Sequence, residues 1–221
     1  MNIIVTGGAG YIGSNIALAL LDAGYEVTII DNLSTGNERL IPSKAEFVKC
    51  NINDIEKLEN LINKKKFTAI MHFAGFVEVE ESVSYPEKYF ENNTTNSIKL
   101  FDLCLQNGLS NIIFSSTATV YGNPAHKGLV SETNDIKPIN PYGESKVRTE
   151  NYLRQFDSSK INYIILRYFN VAGADPKTRS GLIKKNPTHL IKIASEAAIG
   201  KRSSVQIFGN DYNTPDGTAI R

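Results

Sequence analysis

Cysteine is scarce: Cys50 and Cys104 are the only two in 221 residues, far apart and outside any CxxC spacing. Neither a disulfide framework nor a zinc site is implied, no metal centre is expected, and both thiols read as buried. An excess of one charge sign is also lacking. Lys and Arg total 24 against 23 Asp and Glu, a formal net charge of +1. No bulk field therefore recruits nucleic acid or an anionic membrane, and the expected partner is a small molecule. The densest basic run, Lys64-Lys65-Lys66, lies between a helical pattern and an apolar strand pattern and reads as a solvated turn. No apolar run reaches the roughly 18 residues of a membrane span. The opening MNIIVTGGAGYIG has no basic stretch ahead of its apolar residues and turns to glycine at once, unlike a signal peptide. A soluble, cytoplasmic chain is expected, without internal repeats or low-complexity segments.

What is present is core material. A hydrophobic content of 41% suffices for one large domain, or one domain with a small appendage. Short β-branched runs at 3–6, 26–30, 45–48, 69–73, 111–115 and 163–168 predict strands. Helical patterns lie between them at 12–23, 54–63, 86–106 and 141–156. In the first of these, Ile12, Ile16, Ala19 and Leu20 recur at i, i+4 and mark the expected buried face. Continuous apolar strands joined by crossover helices imply an α/β fold, a doubly wound parallel sheet of Rossmann type. After Asn170 the stretch VAGADPKTRSGLIKKNPTH is rich in Gly, Pro and charge. A helix at 190–199 and a short strand at 205–208 are expected beyond it. The organisation predicted is a nucleotide-binding domain over 1–174 and, over 175–221, the start of a smaller substrate subdomain at the open edge of a cofactor crevice.

The first strand runs into TGGAGYIG, where Gly7, Gly10 and Gly13 stand three apart and Gly8, Gly10 and Gly13 also fit GxGxxG. The turn follows a strand and opens a helix, and a second strand ends in Asp31, eighteen residues past Gly13. In a Rossmann unit such glycines admit a pyrophosphate to the helix N-terminus, and such a carboxylate accepts the ribose hydroxyls of the adenosine. The charge of Asp31 would oppose the 2'-phosphate of NADP, so the expected cofactor is NAD.

In NPYGESK, Tyr142 precedes Lys146 by four residues where a helix begins. A phenol of pKa about 10 costs about 4 kcal/mol to ionise at pH 7. A unit charge about 4 Å away at an effective dielectric near 20 is worth about the same. Lys146, one turn along the same face, is thus expected to tune Tyr142 as base and then acid. At the end of the fifth strand, SSTATVYG places the Ser116 and Thr117 hydroxyls where substrates sit in this architecture. Alone, such hydroxyls as often cap a strand end. With YxxxK about 25 residues on, they are expected to share a substrate proton with Tyr142.

TGGAGYIG, Asp31, HFAG, SSTATVYG, YGESK and RYFN, in this order, resemble the extended short-chain dehydrogenase/reductase family. LRYFNVAGA and IFGNDYNTPDGTAIR carry the resemblance to its nucleotide-sugar 4-epimerases over the whole chain. The resemblance implies interconversion of UDP-glucose and UDP-galactose: Tyr142 takes the proton of the 4-hydroxyl, C4 gives hydride to NAD, and the 4-keto sugar turns over before the hydride returns. It implies Thr117, Tyr142 and Lys146 as the catalytic set, with Lys146 also holding the nicotinamide ribose. NAD contacts are implied for Gly7, Gly10, Tyr11, Ile12, Asp31, Asn32, Asn51, Ile52, Phe73, Ala74, Gly75 and Asn92, and Tyr168 is placed beside the nicotinamide. Asn170, His189, Leu190, Phe208 and Arg221 are implied to line the UDP-sugar; a guanidinium forks well onto diphosphate oxygens. A homodimer through the 86–106 and 141–156 helices is a further expectation.

Some positions depart from the pattern. Val77 stands where a lysine is usual near the cofactor, Asn51 where an aspartate is usual near adenine, and His189 where an asparagine is common. Relatives continue past GTAIR into a segment that completes the sugar pocket, so these 221 residues alone are expected to be inactive or weakly active and to expose an apolar face. Other NAD-dependent nucleotide-sugar enzymes are the nearest alternatives. Dehydratases carry Asp-Glu after the threonine, whereas Ala118 and Thr119 follow Thr117 here, and no motif favours decarboxylation. A non-catalytic NAD-binding regulator or scaffold would have no need of a tuned phenol. From Asp31 it follows that chain stripped of nucleotide should bind NADH more tightly than NADPH, and a fluorescence titration giving the reverse order would remove Asp31 from the ribose site.

Overall fold

In the computed structural model, which describes residues 1–123, 129–184 and 187–218, the β-branched runs form strands β1 (Asn2–Thr6), β2 (Glu26–Asp31), β3 (Glu46–Lys49), β4 (Ala69–His72), β5 (Asn111–Ser115) and β6 (Asn162–Leu166). They pair in the order β3-β2-β1-β4-β5-β6, each pair parallel. The crossovers hold helices α1 (Tyr11–Asp22), α2 (Ile55–Lys64), α3 (Val79–Ser84), α4 (Pro86–Tyr89), α5 (Asn96–Gln106) and α6 (Pro141–Arg154). Strand order reverses between β1 and β4. That switch point opens a crevice at the carboxyl ends of the strands.

Alternation along the strands splits the core in two. Ile4, Ile30, Ile70, Ile112 and Phe114 face Leu58 and Ile62 of α2, Leu100, Phe101 and Cys104 of α5 and Leu153 of α6. Ile3, Val5, Val27 and Ile29 meet Ala17 of α1 on the opposite face. Both thiols are buried, as expected. Lys65 pairs with Glu46 at 3.1 Å and approaches Glu26 at 3.6 Å, so the basic run is partly neutralised rather than simply solvated.

The buried face of α1 is not the one its large residues suggest. Gly13, Ser14, Ala17 and Leu18 turn inward, because small side chains let the helix approach the sheet closely. A Cβ on Gly13 would stand 2.2 Å from the Gly7 carbonyl oxygen, and Gly7 itself holds φ at +68°. The 86–106 helix is also not continuous. Between α4 and α5 lies a π turn, Phe90–Thr95, which rotates the face the helix presents and brings Asn93 against the chain beyond β4. There the Asn93 Oδ1 accepts the Phe76 N–H and its Nδ2 donates to the Phe76 carbonyl, both at 2.9 Å.

Contacts divide the chain into Met1–Gly181 and Leu182–Arg221. Residues 175–181, which composition grouped with the smaller segment, are tied to α1: Ser180 and Ser14 hydroxyls lie 2.6 Å apart, and Arg179 bonds Asp22. In the second unit, α7 (Leu190–Ala198) has no buried residue. Residues 205–208 are not a strand: Ile207 and Phe208 are exposed, and no strand pairs with them among the described residues, so an isolated ladder has nothing to satisfy it. Ile164 of β6 is likewise exposed. No helix among the described residues is long and apolar enough to cross a membrane.

The α1 approach predicts that Gly13→Ala destabilises the fold by at least about 2 kcal/mol, since the backbone itself must shift. Gly181→Ala, where a Cβ meets only Ala174 at 3.4 Å, should stay within about 0.5 kcal/mol. Urea unfolding of the two variants checks the contrast, and equal losses would contradict it.

Candidate active site

At the nucleotide end, Gly10 caps α1 without any side-chain bond, and the Ser14 N–H is bonded back to the Gly10 carbonyl at 3.0 Å. The N–H groups of Tyr11, Ile12 and Gly13 are those that a first helical turn leaves without intrahelical partners, a ready anion site. Asp31 ends β2 in the same crevice. Its Oδ2 accepts the Ala9 N–H at 3.0 Å and its Oδ1 the Leu33 N–H at 2.8 Å. The chain after Asp31 folds back on the glycine turn, with the Asn37 N–H bonded to the Ala9 carbonyl at 2.9 Å. Gly36 allows this, as a Cβ there would lie 2.8 Å from Asp31 Oδ1. Asn32 accepts the Ser34 N–H at 2.9 Å and donates to Asn51 Oδ1 at 2.5 Å, so two of the expected NAD contacts are adjacent. Ile52 packs its side chain into the core, which leaves its backbone for any contact.

Beyond β4, the Phe73 N–H is bonded to the Thr6 carbonyl at 3.1 Å and the Ala74 N–H to the Thr6 hydroxyl at 3.4 Å. A Cβ on Gly75 would stand 3.2 Å from both Asn93 Oδ1 and Lys146 Nζ. Asn92 donates to Asn93 at 3.0 Å. These contacts draw the 73–75 chain, the π turn and α6 together. Val77 is exposed.

Helix α6 starts at Pro141 behind Asn140, whose Oδ1 accepts the Gly143 N–H at 2.8 Å. Tyr142 and Lys146 lie on one buried face of it. Burial pushes the Tyr142 phenol above its ordinary pKa; the Thr117 hydroxyl pulls the other way, and Tyr168 pushes it further up. Thr117, Tyr142 and Tyr168 therefore converge. The coupling expected from the YxxxK spacing is not among these influences. Lys146 instead reaches the β5 end, donating to the Ser115 carbonyl at 3.0 Å over the Phe114 ring, and burial lowers its ammonium to about 8. Shared helix face fixes where a long side chain starts, not where its charge goes. Ser115 also binds the Tyr168 hydroxyl through its own, and burial raises the Tyr168 pKa.

Thr117 and Ser116 part company. Thr117 Oγ1 accepts the Thr119 N–H at 3.2 Å and caps a short 3-10 turn, Ala118–Tyr121, so capping and a site position coexist in one side chain. Ser116 was expected to face substrate, but its hydroxyl donates to Glu150 at 2.5 Å. Alternation along an extended chain sends neighbours in opposite directions.

Comparison with known proteins bears on this arrangement. Residues 3–221 match the NAD dependent epimerase/dehydratase family. The chain belongs to this family. It is 47% identical over 99% of its length to a UDP-glucose 4-epimerase of Azospirillum brasilense, and spans 63% of that relative. It superposes on a solved UDP-glucose 4-epimerase with a TM-score of 0.92 at 38% identity, covering 100% of this chain and 67% of that one. The Brucella ovis UDP-glucose 4-epimerase solved in complex with NAD gives 0.88 at 38% identity, covering 97% of this chain and 66% of that one.

Asn170 is exposed past β6. In the second unit, His189 precedes α7 with its Nδ1 buried and unpaired, while Leu190 and Phe208 are exposed. Arg221 lies outside the described residues. Asn93, Ser115 and Gly36 were not singled out from the sequence, since each is recognisable only by the distant backbone it meets. His72, the first residue of HFAG, ends β4 fully buried. The His72 ring is held between two hydroxyls, with Thr6 Oγ1 2.7 Å from its Nδ1 and Ser97 Oγ 2.9 Å from its Nε2.

Burial, with the Lys146 charge adding to it, lowers His72 to about 3, so the folded protein keeps the ring neutral. The unfolded chain protonates it below about pH 6.5. Stability from this group is therefore full above that pH and falls as pH drops toward about 3, by about 1.4 kcal/mol per unit inside the window. Between about pH 7.5 and about pH 5 the wild type should lose more urea stability than His72→Gln. Equal losses would mean that His72 does not titrate in this way.

Proposed function

We propose that the chain interconverts UDP-glucose and UDP-galactose by NAD-mediated oxidation and re-reduction at sugar C4, as a homodimer. The observation that carries this reading is the convergence of Thr117, Tyr142 and Tyr168, with Lys146 at the same strand end, in a Rossmann crevice that also holds an uncapped helix N-terminus and Asp31. Gly7, Gly10, Tyr11 and Ile12 would hold the pyrophosphate, Asp31 and Asn32 the adenosine ribose, and Asn51 and Ile52 the base. Phe73, Ala74, Gly75, Asn92, Lys146 and Tyr168 would hold the nicotinamide riboside. When bound, NAD would supply reversible hydride chemistry at C4.

The chain's own groups handle the proton. Tyr142 Oη, as the phenolate, receives the proton of the sugar 4-hydroxyl and later returns it, so the phenol ends the cycle in the protonation state in which it began. Because burial favours the protonated phenol, accepting the proton is the step that needs cationic help. Lys146, charged below about pH 8, is a buried cation of the chain at this end of the sheet. The Thr117 hydroxyl, which already favours the ionised phenol, stabilises negative charge as it develops.

The test is to release and quantify nucleotide from freshly purified protein, then to add UDP-galactose or UDP-glucose to intact protein and follow absorbance at about 340 nm, where reduced nicotinamide absorbs. Bound NAD and a sugar-dependent rise are expected. Tyr142→Phe should slow that rise by about 10²–10⁴-fold while NAD content holds. Protein without NAD affinity, or a variant that reacts like the wild type, would sink the reading.

A further inference from the structure

Glu150 lies one further turn along the α6 face that carries Tyr142 and Lys146, and it is fully buried, at 0% exposure. Ser116 donates to its Oε1 at 2.5 Å. Arg167 Nε reaches both carboxylate oxygens, at 3.0 and 3.2 Å, and Arg167 Nη2 donates to Oε2 at 2.5 Å. Arg154, half exposed, adds a longer contact at 3.4 Å. The remaining amino group of Arg167 donates to the Tyr121 hydroxyl at 3.1 Å, with the guanidinium 5.1 Å from that ring. One carboxylate thus fastens the ends of β5 and β6 and the 3-10 turn to α6.

The neighbours of these bonded residues are the reaction-facing ones. Ser116 precedes Thr117 and Arg167 precedes Tyr168. The two segments stay laddered past the regular strands, through Ser116 N–H to the Leu166 carbonyl at 2.9 Å and Ala118 N–H to the Tyr168 carbonyl at 3.1 Å. In extended chain, holding one side chain toward the helix commits the next to the other direction. Glu150 and Arg167 cancel each other's charge, so this cluster acts on the site through geometry rather than through its field.

We propose that Glu150 is a positioning residue: by holding Ser116 and Arg167 against α6 it sets the directions from which Thr117 and Tyr168 meet the Tyr142 phenol. This rests on the functional reading of those three residues given above. Ser116→Ala is the informative variant, because it removes one link to Glu150 and leaves the buried Glu150–Arg167 pair intact. Glu150→Gln is the stronger but less fold-neutral companion. In protein carrying ring-labelled tyrosine, the Tyr142 and Tyr168 carbon resonances, assigned with Tyr142→Phe and Tyr168→Phe, should shift in Ser116→Ala while those of Tyr25 and Tyr163 hold. Unchanged Tyr142 and Tyr168 signals, with or without a loss of stability, would reduce Glu150 to a structural anchor and overturn the proposal. In the sugar-driven reduction of bound NAD, Ser116→Ala should lower the rate at saturating UDP-galactose about tenfold and leave half-saturation unchanged. A change confined to half-saturation would also overturn it. Wild-type protein that binds NAD but is not reduced by sugar would fail the functional reading alone, and the tyrosine resonances would still decide what Glu150 does.

Discussion

The contact between the Gly7 carbonyl and the bare Cα of Gly13 is the constraint on which the site depends. A Cβ at Gly13 would stand 2.2 Å from that oxygen, so α1 rests against β1 at a distance that only glycine permits. Gly7 at φ +68° makes the turn, and a Cβ on it would meet the Ala74 N–H side of the chain beyond β4 at 2.6 Å. One loop therefore registers a helix end against two strand ends. Ala9 is then carried to Asp31, and Gly36 lets the following loop close over it. Glycine costs backbone entropy in a helix, about 1 kcal/mol relative to alanine. The cost is offset by a helix N-terminus left uncapped and aimed into the crevice.

The second half of the site follows from burial of polar groups that have been given partners. Lys146 is an ammonium in the interior, held by one carbonyl and an aromatic face and still charged at neutral pH. His72, within reach of that charge, stays neutral between two hydroxyls. Tyr142 stays protonated. The charge left over at the β5 end is positive. An interior that keeps one cation and only neutral acids beside it favours negative charge developing on an oxygen there. The Glu150–Arg167 pair sits close by without disturbing that balance, because it is neutral as a unit.

Much of this was legible along the chain, and the residues show where legibility stops. All six strands and the order of crossovers could be read from β-branched runs, and the four inner ones most plainly, because a strand buried on both faces is apolar nearly throughout. Asp31 could be placed from its spacing alone. The buried face of α1 could not, since its large side chains suggested one stripe while close packing selected Gly13, Ser14 and Ala17. The π turn at 90–95 breaks what the pattern reads as one helix, and its consequence, Asn93 gripping Phe76, lies seventeen residues away in sequence. The run at 205–208 has strand composition but no partner strand among the described residues.

The sequence by itself determined the parallel sheet, the glycine turn, the acidic end of β2 and the pairing of Tyr142 with Lys146 on one helix face. These are matters of local periodicity and spacing, which a chain carries wherever it folds. Only the tertiary structure decided that Lys146 points its charge at Ser115, that Thr117 faces Tyr142 while Ser116 turns back to Glu150, and that Asn93 and His72 brace the crevice. Each of these is a choice among hydrogen-bond partners far away in sequence, and a buried polar group takes whichever partner the packed fold brings within reach.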